Sequence, residues 1–105
     1  MLESEVESTL RKRINALGNG VQYRKFVSPG YTGVPDRIIL LPGAHVIFVE
    51  LKKPGKKERK RQEYVQGLFR KLGFEVYSSV NSKEKIEAIV SRCKEVLELE
   101  GIYTA

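Results

Sequence analysis

Gly33-Val34-Pro35-Asp36-Arg37-Ile38-Ile39-Leu40-Leu41-Pro42-Gly43-Ala44-His45-Val46-Ile47-Phe48-Val49-Glu50-Leu51-Lys52 is the stretch from which the fold can be read. Two β-branched and aliphatic runs flank Pro42-Gly43-Ala44, the pattern of a β-hairpin with a short Pro/Gly loop. Asp36 and Glu50 lie 14 positions apart, with Gly43 midway between them. A hairpin symmetric about Gly43 sets position 36 opposite position 50, and opposed side chains share a face. Strand alternation puts Lys52 on that face as well. The rest of the hairpin is apolar on both sides, with Ile38, Leu40, Val46 and Phe48 on one and Ile39, Leu41, Ile47 and Val49 on the other. Helices are therefore expected on both faces of the sheet.

Outward from the hairpin, the chain alternates helix and strand. Val6, Leu10, Ile14 and Leu17 follow helical spacing, and Gly18 ends that helix. Residues 21–27 read as a strand, followed by the loop Ser28-Pro29-Gly30-Tyr31-Thr32-Gly33. After the hairpin, Lys53-Pro54-Gly55 breaks the chain. A second helix is expected over 56–72 on the stripe Val65, Leu68, Phe69 and Leu72, closed by Gly73. Residues 74–80 form a fourth strand. Asn81 followed by Glu84 resembles a capping box, opening a last helix with Ile86, Ile89, Val90, Cys93, Val96 and Leu97 on one side. The expected order is α-β-β-β-α-β-α, an α/β sandwich around a central mixed sheet, as a single domain over 1–105.

The composition narrows the function classes. A chain of 105 residues has room for one core. A net charge of +6 and a pI near 9.6 favour an acidic partner, nucleic acid ahead of a membrane surface. No apolar run approaches the roughly 20 residues of a membrane span. The amino terminus, Met1-Leu2-Glu3-Ser4-Glu5, lacks an export-type apolar region, and a lone cysteine fits a reducing cytoplasm. One histidine excludes a Cys/His zinc site and disfavours a Ser/His/Asp hydrolase.

Two opposed carboxylates beside an ammonium suit phosphodiester hydrolysis. The diester's charge repels hydroxide and its leaving oxygen is poor; a hard divalent cation answers both by neutralising phosphate and acidifying a bound water. Magnesium takes oxygen ligands, commonly one or two carboxylates plus waters and substrate oxygens. Asp36 and Glu50 supply the carboxylates, and the Leu51 backbone carbonyl is a plausible third ligand. Lys52 could orient or deprotonate the water, or stabilise charge at phosphorus. Alone, a Glu-x-Lys is most often a solvated ion pair and a Pro-Asp most often a turn. Their opposition at the end of an apolar hairpin, beside a basic segment, is harder to dismiss.

Gly33-Val34-Pro35-Asp36 followed by Val49-Glu50-Leu51-Lys52 resembles the motif of the PD-(D/E)xK nuclease superfamily, and within it the small VRR-NUC (virus-type replication-repair nuclease) domain. The resemblance covers nearly the whole chain. It implies a restriction-endonuclease-like fold, DNA cleavage dependent on Mg²⁺ or Mn²⁺ with no small-molecule cofactor, and catalytic roles for Asp36, Glu50 and Lys52. It further implies an acidic residue on the first helix near the metal, for which Glu7 is the choice and Glu3 the alternative. A glutamine on the helix after the lysine motif is typical of the family, and Gln62, three residues before Val65 and seven before Phe69, fits it.

Between Lys52 and Arg61 stand seven bases: Lys52, Lys53, Lys56, Lys57, Arg59, Lys60 and Arg61. Such a run is commonly a solvated face, but beside a metal site it suits neutralisation of DNA phosphates. Tyr31 could pack against a base or sugar. His45 is given no role, and Cys93 completes the apolar stripe of the last helix. The reading is a DNA endonuclease acting on four-way junctions or other branched DNA, working as a homodimer whose interface could use Leu99 and Ile102-Tyr103. The alternatives are a nuclease of flaps or free ends and a catalytically silent DNA-binding module. An intact Asp36/Glu50/Lys52 set argues against silence, because charges at a core edge are costly to keep.

Overall fold

The computed structural model describes residues 1–102; Tyr103 lies outside them. The four-residue spacing of Val6, Leu10 and Ile14 forms helix α1, Glu3–Asn15, with all three side chains buried. Strand β1 covers Gln22–Lys25, shorter than the expected 21–27, because it is an edge strand held only by its neighbour. The next bond persists beyond it: the Phe26 N–H donates to the Asp36 carbonyl at 2.9 Å. Strands β2, Arg37–Leu41, and β3, His45–Leu51, form the hairpin around Pro42-Gly43-Ala44. Their register runs from Leu41↔His45 to Arg37↔Val49, so one further step sets Asp36 across from Glu50 as the symmetry about Gly43 requires.

Helix α2, Lys60–Lys71, leads to strand β4, Glu75–Val80, and helix α3, Lys83–Leu99, follows. The sheet order is β1-β2-β3-β4, with antiparallel pairing through β3 and a parallel β4. This is the mixed α/β sandwich expected from the sequence. Two helix starts differ from expectation. The second helix begins at Lys60 rather than Lys56, and residues 52–59 form a loop that turns at Gly55, φ +84°. The Glu58 carboxylate is drawn instead to Ser79 of β4, whose N–H it accepts at 2.8 Å, and this holds residues 56–59 out of the helix. The last helix is capped by Ser82, whose Oγ accepts the Lys85 N–H at 3.3 Å, not by Asn81. Glu84 is therefore one residue too early to complete a capping box.

Helices α1 and α3 pack on one face of the sheet. Val6, Leu10 and Ile14 meet Ile86, Ile89, Val90, Cys93, Val96 and Leu97 over Ile39, Leu41, Ile47, Val49 and Leu51. Cys93 belongs to this core, and burial pushes its thiol pKa up to about 12. Helix α2 covers part of the other face through an aromatic cluster. The Phe48 ring lies 4.8 Å from Phe69, 5.4 Å from Phe74 and 5.5 Å from Phe26, each pair contributing about 0.5–1.5 kcal/mol beyond area burial. Leu40, on this face but away from α2, stays exposed. His45 pairs with Glu100 at the far end of the hairpin. No helix among the described residues is long and apolar enough to cross a membrane.

Candidate active site

Two local features deliver Asp36. Gly33, at φ +93°, lies so close to α2 that a Cβ there would meet Arg61 Cγ and the Arg61 carbonyl oxygen at 2.9 Å. The loop before Pro35 is thus pressed against the start of α2, and buried Pro35 carries the chain into β2. Asp36 Oδ1 then accepts the Leu51 N–H at 3.2 Å, which ties the carboxylate to the end of β3. Burial raises the Asp36 pKa, and the Leu51 N–H and Arg37 oppose that rise.

Glu50 is 4% exposed. Its Oε1 accepts from Gln62 Nε2 at 3.2 Å, and its Oε2 is buried without a hydrogen-bond partner. Burial first, then the Asp36 charge, push the Glu50 pKa up to about 7. A buried carboxylate oxygen with no donor is unfavourable unless it is protonated or meets a cation. Lys52 Nζ donates to Gln62 Oε1 at 2.9 Å, and that oxygen also accepts the Arg59 N–H at 3.0 Å. Gln62 therefore links Glu50, Lys52 and the first turn of α2, and the structure brings Asp36, Glu50, Lys52 and Gln62 together.

Two clefts flank this group. One, about 350 Å³, is lined by Glu3, Ser4, Glu7, Asp36, Arg37 and Leu51. Glu7 reaches it, but its carboxylate is engaged by Arg11 at 3.4 Å and by Arg37 at 3.8 Å. Glu3 lines the same cleft, and its charge contributes to the raised pKa of Asp36. Among the described residues, no three carboxylate, imidazole or thiol groups form a ready-made metal cage. Two carboxylates plus water and substrate oxygens are enough for magnesium. The orphaned Glu50 Oε2 beside Asp36 fits that cation.

The second cleft, about 290 Å³, lies on the α2 side between Thr32, Gly33, Val34, Arg59, Arg61 and Gln62. Arg61 Nε donates to the Thr32 carbonyl at 3.1 Å, and its guanidinium lies 4.8 Å from the Tyr31 ring and 5.7 Å from Tyr64. Lys53, Lys56, Lys57, Arg59, Lys60 and Arg61 are all exposed. Helix α1 opens on Glu3 and α3 has Glu84 as its second residue, whereas Arg59, Lys60 and Arg61 precede the first acid of α2, Glu63. Cations at a positive helix end repel one another and the dipole, and an anion relieves both.

Three contributors escaped the sequence reading. Glu58, the one acid within the basic run, is half-buried and accepts from the Ser79 N–H at 2.8 Å. Its sign among seven bases was the available signal. Gln66 is fully buried and accepts from Ser78 Oγ, joining α2 to β4; its spacing of four from Gln62 was the clue. Tyr64, the second ring at Arg61, carried no sequence signal.

No family profile matches the sequence. A 55-residue stretch, 52% of the chain, is 49% identical to "Putative nuclease p44" of Acyrthosiphon pisum secondary endosymbiont phage 1, and the match spans 57% of that protein's length. Among solved structures, one described as a VRR_NUC domain superposes with a TM-score of 0.74 at 29% identity, over 85% of this chain and 94% of that one. A second, a VRR_NUC domain protein, gives a TM-score of 0.69 over 99% of this chain and 93% of its own, and its 18% identity speaks for the fold alone. The chain thus shares the fold of these VRR_NUC domain structures, and within it Pro35-Asp36 stands opposed to Glu50-Leu51-Lys52.

Proposed function

We propose that the chain is a metal-dependent DNA endonuclease selective for branched DNA, and that it works as a homodimer. The observation that carries the hydrolytic reading is Glu50: buried, raised in pKa, and left with Oε2 unpartnered beside Asp36. Asp36 and Glu50, with the Leu51 carbonyl and an acid of α1, would hold Mg²⁺ or Mn²⁺. Such an ion, when bound, neutralises phosphate charge and acidifies water. Lys52, steered by Gln62, holds or moves a proton at the attacking water and counters charge at the phosphorus oxygens. Arg59 and Arg61 bind phosphates next to the reacting one, with Tyr31 against a sugar or base. Lys53, Lys56, Lys57 and Lys60 grip the backbone further out.

Selectivity for branches rests on the two-site argument. One such site cuts one strand, and symmetric cleavage of a four-way junction needs two sites at fixed separation. A closed two-fold dimer is the commonest way to supply that pair. Of the residues expected at an interface, Leu99 is 68% exposed, whereas Ile102 packs against the core.

The test is cleavage of labelled single-stranded, duplex, flap, splayed and four-way-junction DNA with and without Mg²⁺ or Mn²⁺. The expected result is metal-dependent nicking of the junction at symmetry-related positions on opposing strands. Light scattering should report about twice the 12.0 kDa chain mass. A monomer that cuts flaps and ignores junctions would move the reading to a flap or free-end nuclease. Binding without cleavage under any metal would leave a DNA-binding module.

A further inference from the structure

We propose that Glu58 is a positioning residue: its carboxylate holds a bulge in β4, and that bulge sets where Glu50 and Lys52 stand. The inference rests on the hydrolytic reading above. It begins with an irregularity in the parallel pairing of β3 and β4. Val49 pairs with Tyr77, but Leu51 pairs with Val80. Glu50 is therefore the one residue of β3 within an interval that holds two residues of β4, Ser78 and Ser79. The surplus residue of a bulge is held by something other than the ladder, and bulges beside sites commonly re-aim a side chain.

Ser79 has φ +51°, a left-handed conformation uncommon for any residue but glycine. Three bonds hold it there. Its N–H and its hydroxyl donate to Glu58 Oε1 at 2.8 Å and 3.2 Å. Its carbonyl accepts from Lys85 Nζ, on the first turn of α3, at 2.8 Å. Immediately past the bulge, the Lys52 N–H donates to the Val80 carbonyl at 3.0 Å. The residues that bracket Leu51, Glu50 on one side and Lys52 on the other, thus both take their places from the bulge.

Glu58 also closes the basic loop. The next residue, Arg59, gives its N–H to Gln62, which in turn bonds Lys52 and Glu50. Residues 53–57, with three exposed lysines, are thereby suspended between Lys52 and an anchored Glu58. Loss of the Glu58 carboxylate leaves the Ser79 N–H without its acceptor and removes the reason for Ser79 to stay left-handed. The bulge can then slip toward regular pairing, and a one-residue slip turns side chains to the other face.

The rival role for a carboxylate in this place is direct metal ligation, and the variants separate the two. Glu58→Gln keeps the acceptor oxygen without the charge. Glu58→Ala removes both. Ser79→Gly makes the left-handed conformation easy without any anchor. Each variant is assayed for cleavage, and the exchange protection of the Ser79 amide is measured without metal. Glu58→Ala should lower kcat by about 10- to 100-fold, the usual effect of losing a supporting partner, with KM for DNA nearly unchanged and the Ser79 amide deprotected. Glu58→Gln should stay near the parent in both readouts, and Ser79→Gly should recover part of the kcat lost in Glu58→Ala. Full activity in Glu58→Ala, or Glu58→Gln as inactive as Glu58→Ala, would overturn the proposal. Failure of the hydrolytic reading shows separately, as a parent protein that cuts no DNA with any metal; the amide measurement then decides the bulge on its own, because an unchanged Ser79 amide in Glu58→Ala refutes the anchor.

Discussion

Gln62 Nε2 donates to Glu50 Oε1 at 3.2 Å while Gln62 Oε1 accepts from Lys52 Nζ at 2.9 Å, so one amide fixes both the acid and the base across α2 and β3. An amide suits this, since it offers a donor and an acceptor on separate atoms at one end. Gln62→Leu should keep the packing and lose both bonds, lowering kcat by about 10- to 100-fold. Gln62→Glu keeps the bond to Lys52 but sets a second carboxylate against Glu50, and it should be worse than wild type at every metal concentration. Steady-state cleavage across a metal titration measures this, and wild-type rates in Gln62→Leu would remove Gln62 from the site.

Glu50 gives the metal-free protein a pH-dependent stability. Its pKa rises from 4.5 in model compounds to about 7 in the fold, with burial the main cause. Between those values the folded chain holds a proton that the unfolded chain has released, so stability falls as pH climbs through the window. Above it both states are ionised and the full penalty is felt, on the order of 3 kcal/mol. Glu50→Gln should therefore flatten the profile and, without metal, be more stable than wild type at about pH 8 but not at about pH 5. Added Mg²⁺ should stabilise wild type at the higher pH and leave Glu50→Gln unchanged. Urea denaturation at the two pH values tests it, and parallel profiles would contradict the assignment.

The lysines of the loop after β3 should bind DNA without reading it. They are exposed, on an irregular segment, and lysine is a point charge rather than a fork that matches base edges. Replacing Lys53, Lys56 and Lys57 with Ala, in a Glu50→Ala background that binds without cutting, should weaken binding to all sequences alike. Each lost phosphate contact should lower the slope of log affinity against log salt by about 0.9 on duplex. An unchanged slope with a sequence-specific loss would show base contact instead.

The hairpin was legible because its register follows from symmetry: apolar runs of equal length about Gly43 leave one pairing, and Asp36 opposite Glu50 comes with it. The core was legible for a similar reason, since Val6, Leu10 and Ile14, and Ile86 through Leu97, repeat at helical spacing. The start of α2 was not, because Lys56 to Arg59 have ordinary helix propensities and what unwinds them is tertiary: the Glu58 carboxylate bonds Ser79, 21 residues away in sequence. The bulge was invisible on the same ground. Nothing in Tyr77-Ser78-Ser79-Val80 marks an extra residue; the partners that hold it come from the basic loop and from α3. The motif residues could be picked from the chain, but the supports that aim them are long-range bonds with no local pattern.

The choice between the two α1 acids now has a physical basis. Glu7 and Glu3 line one cleft with Asp36, a turn apart on the helix. The Glu7 carboxylate stands 3.8 Å from Arg37 and 3.4 Å from Arg11, so part of its charge is already countered. Glu3 acts on Asp36 by repulsion, which adds to the rise in the Asp36 pKa that burial mainly causes. A metal ion at Asp36 would relieve that repulsion and would draw on Glu3 in preference to Glu7. Glu3→Gln should therefore weaken the metal dependence, moving half-maximal cleavage to a metal concentration about 10-fold or more higher, within the range seen for lost supporting ligands. Glu7→Gln should release Arg37 and Arg11 and shift the metal titration little. Its effect should appear instead in stability, modest because the Glu7 side chain is partly exposed. Metal titrations of cleavage, paired with thermal melts, separate the two residues; a large metal shift in Glu7→Gln with none in Glu3→Gln would assign the ligand to Glu7.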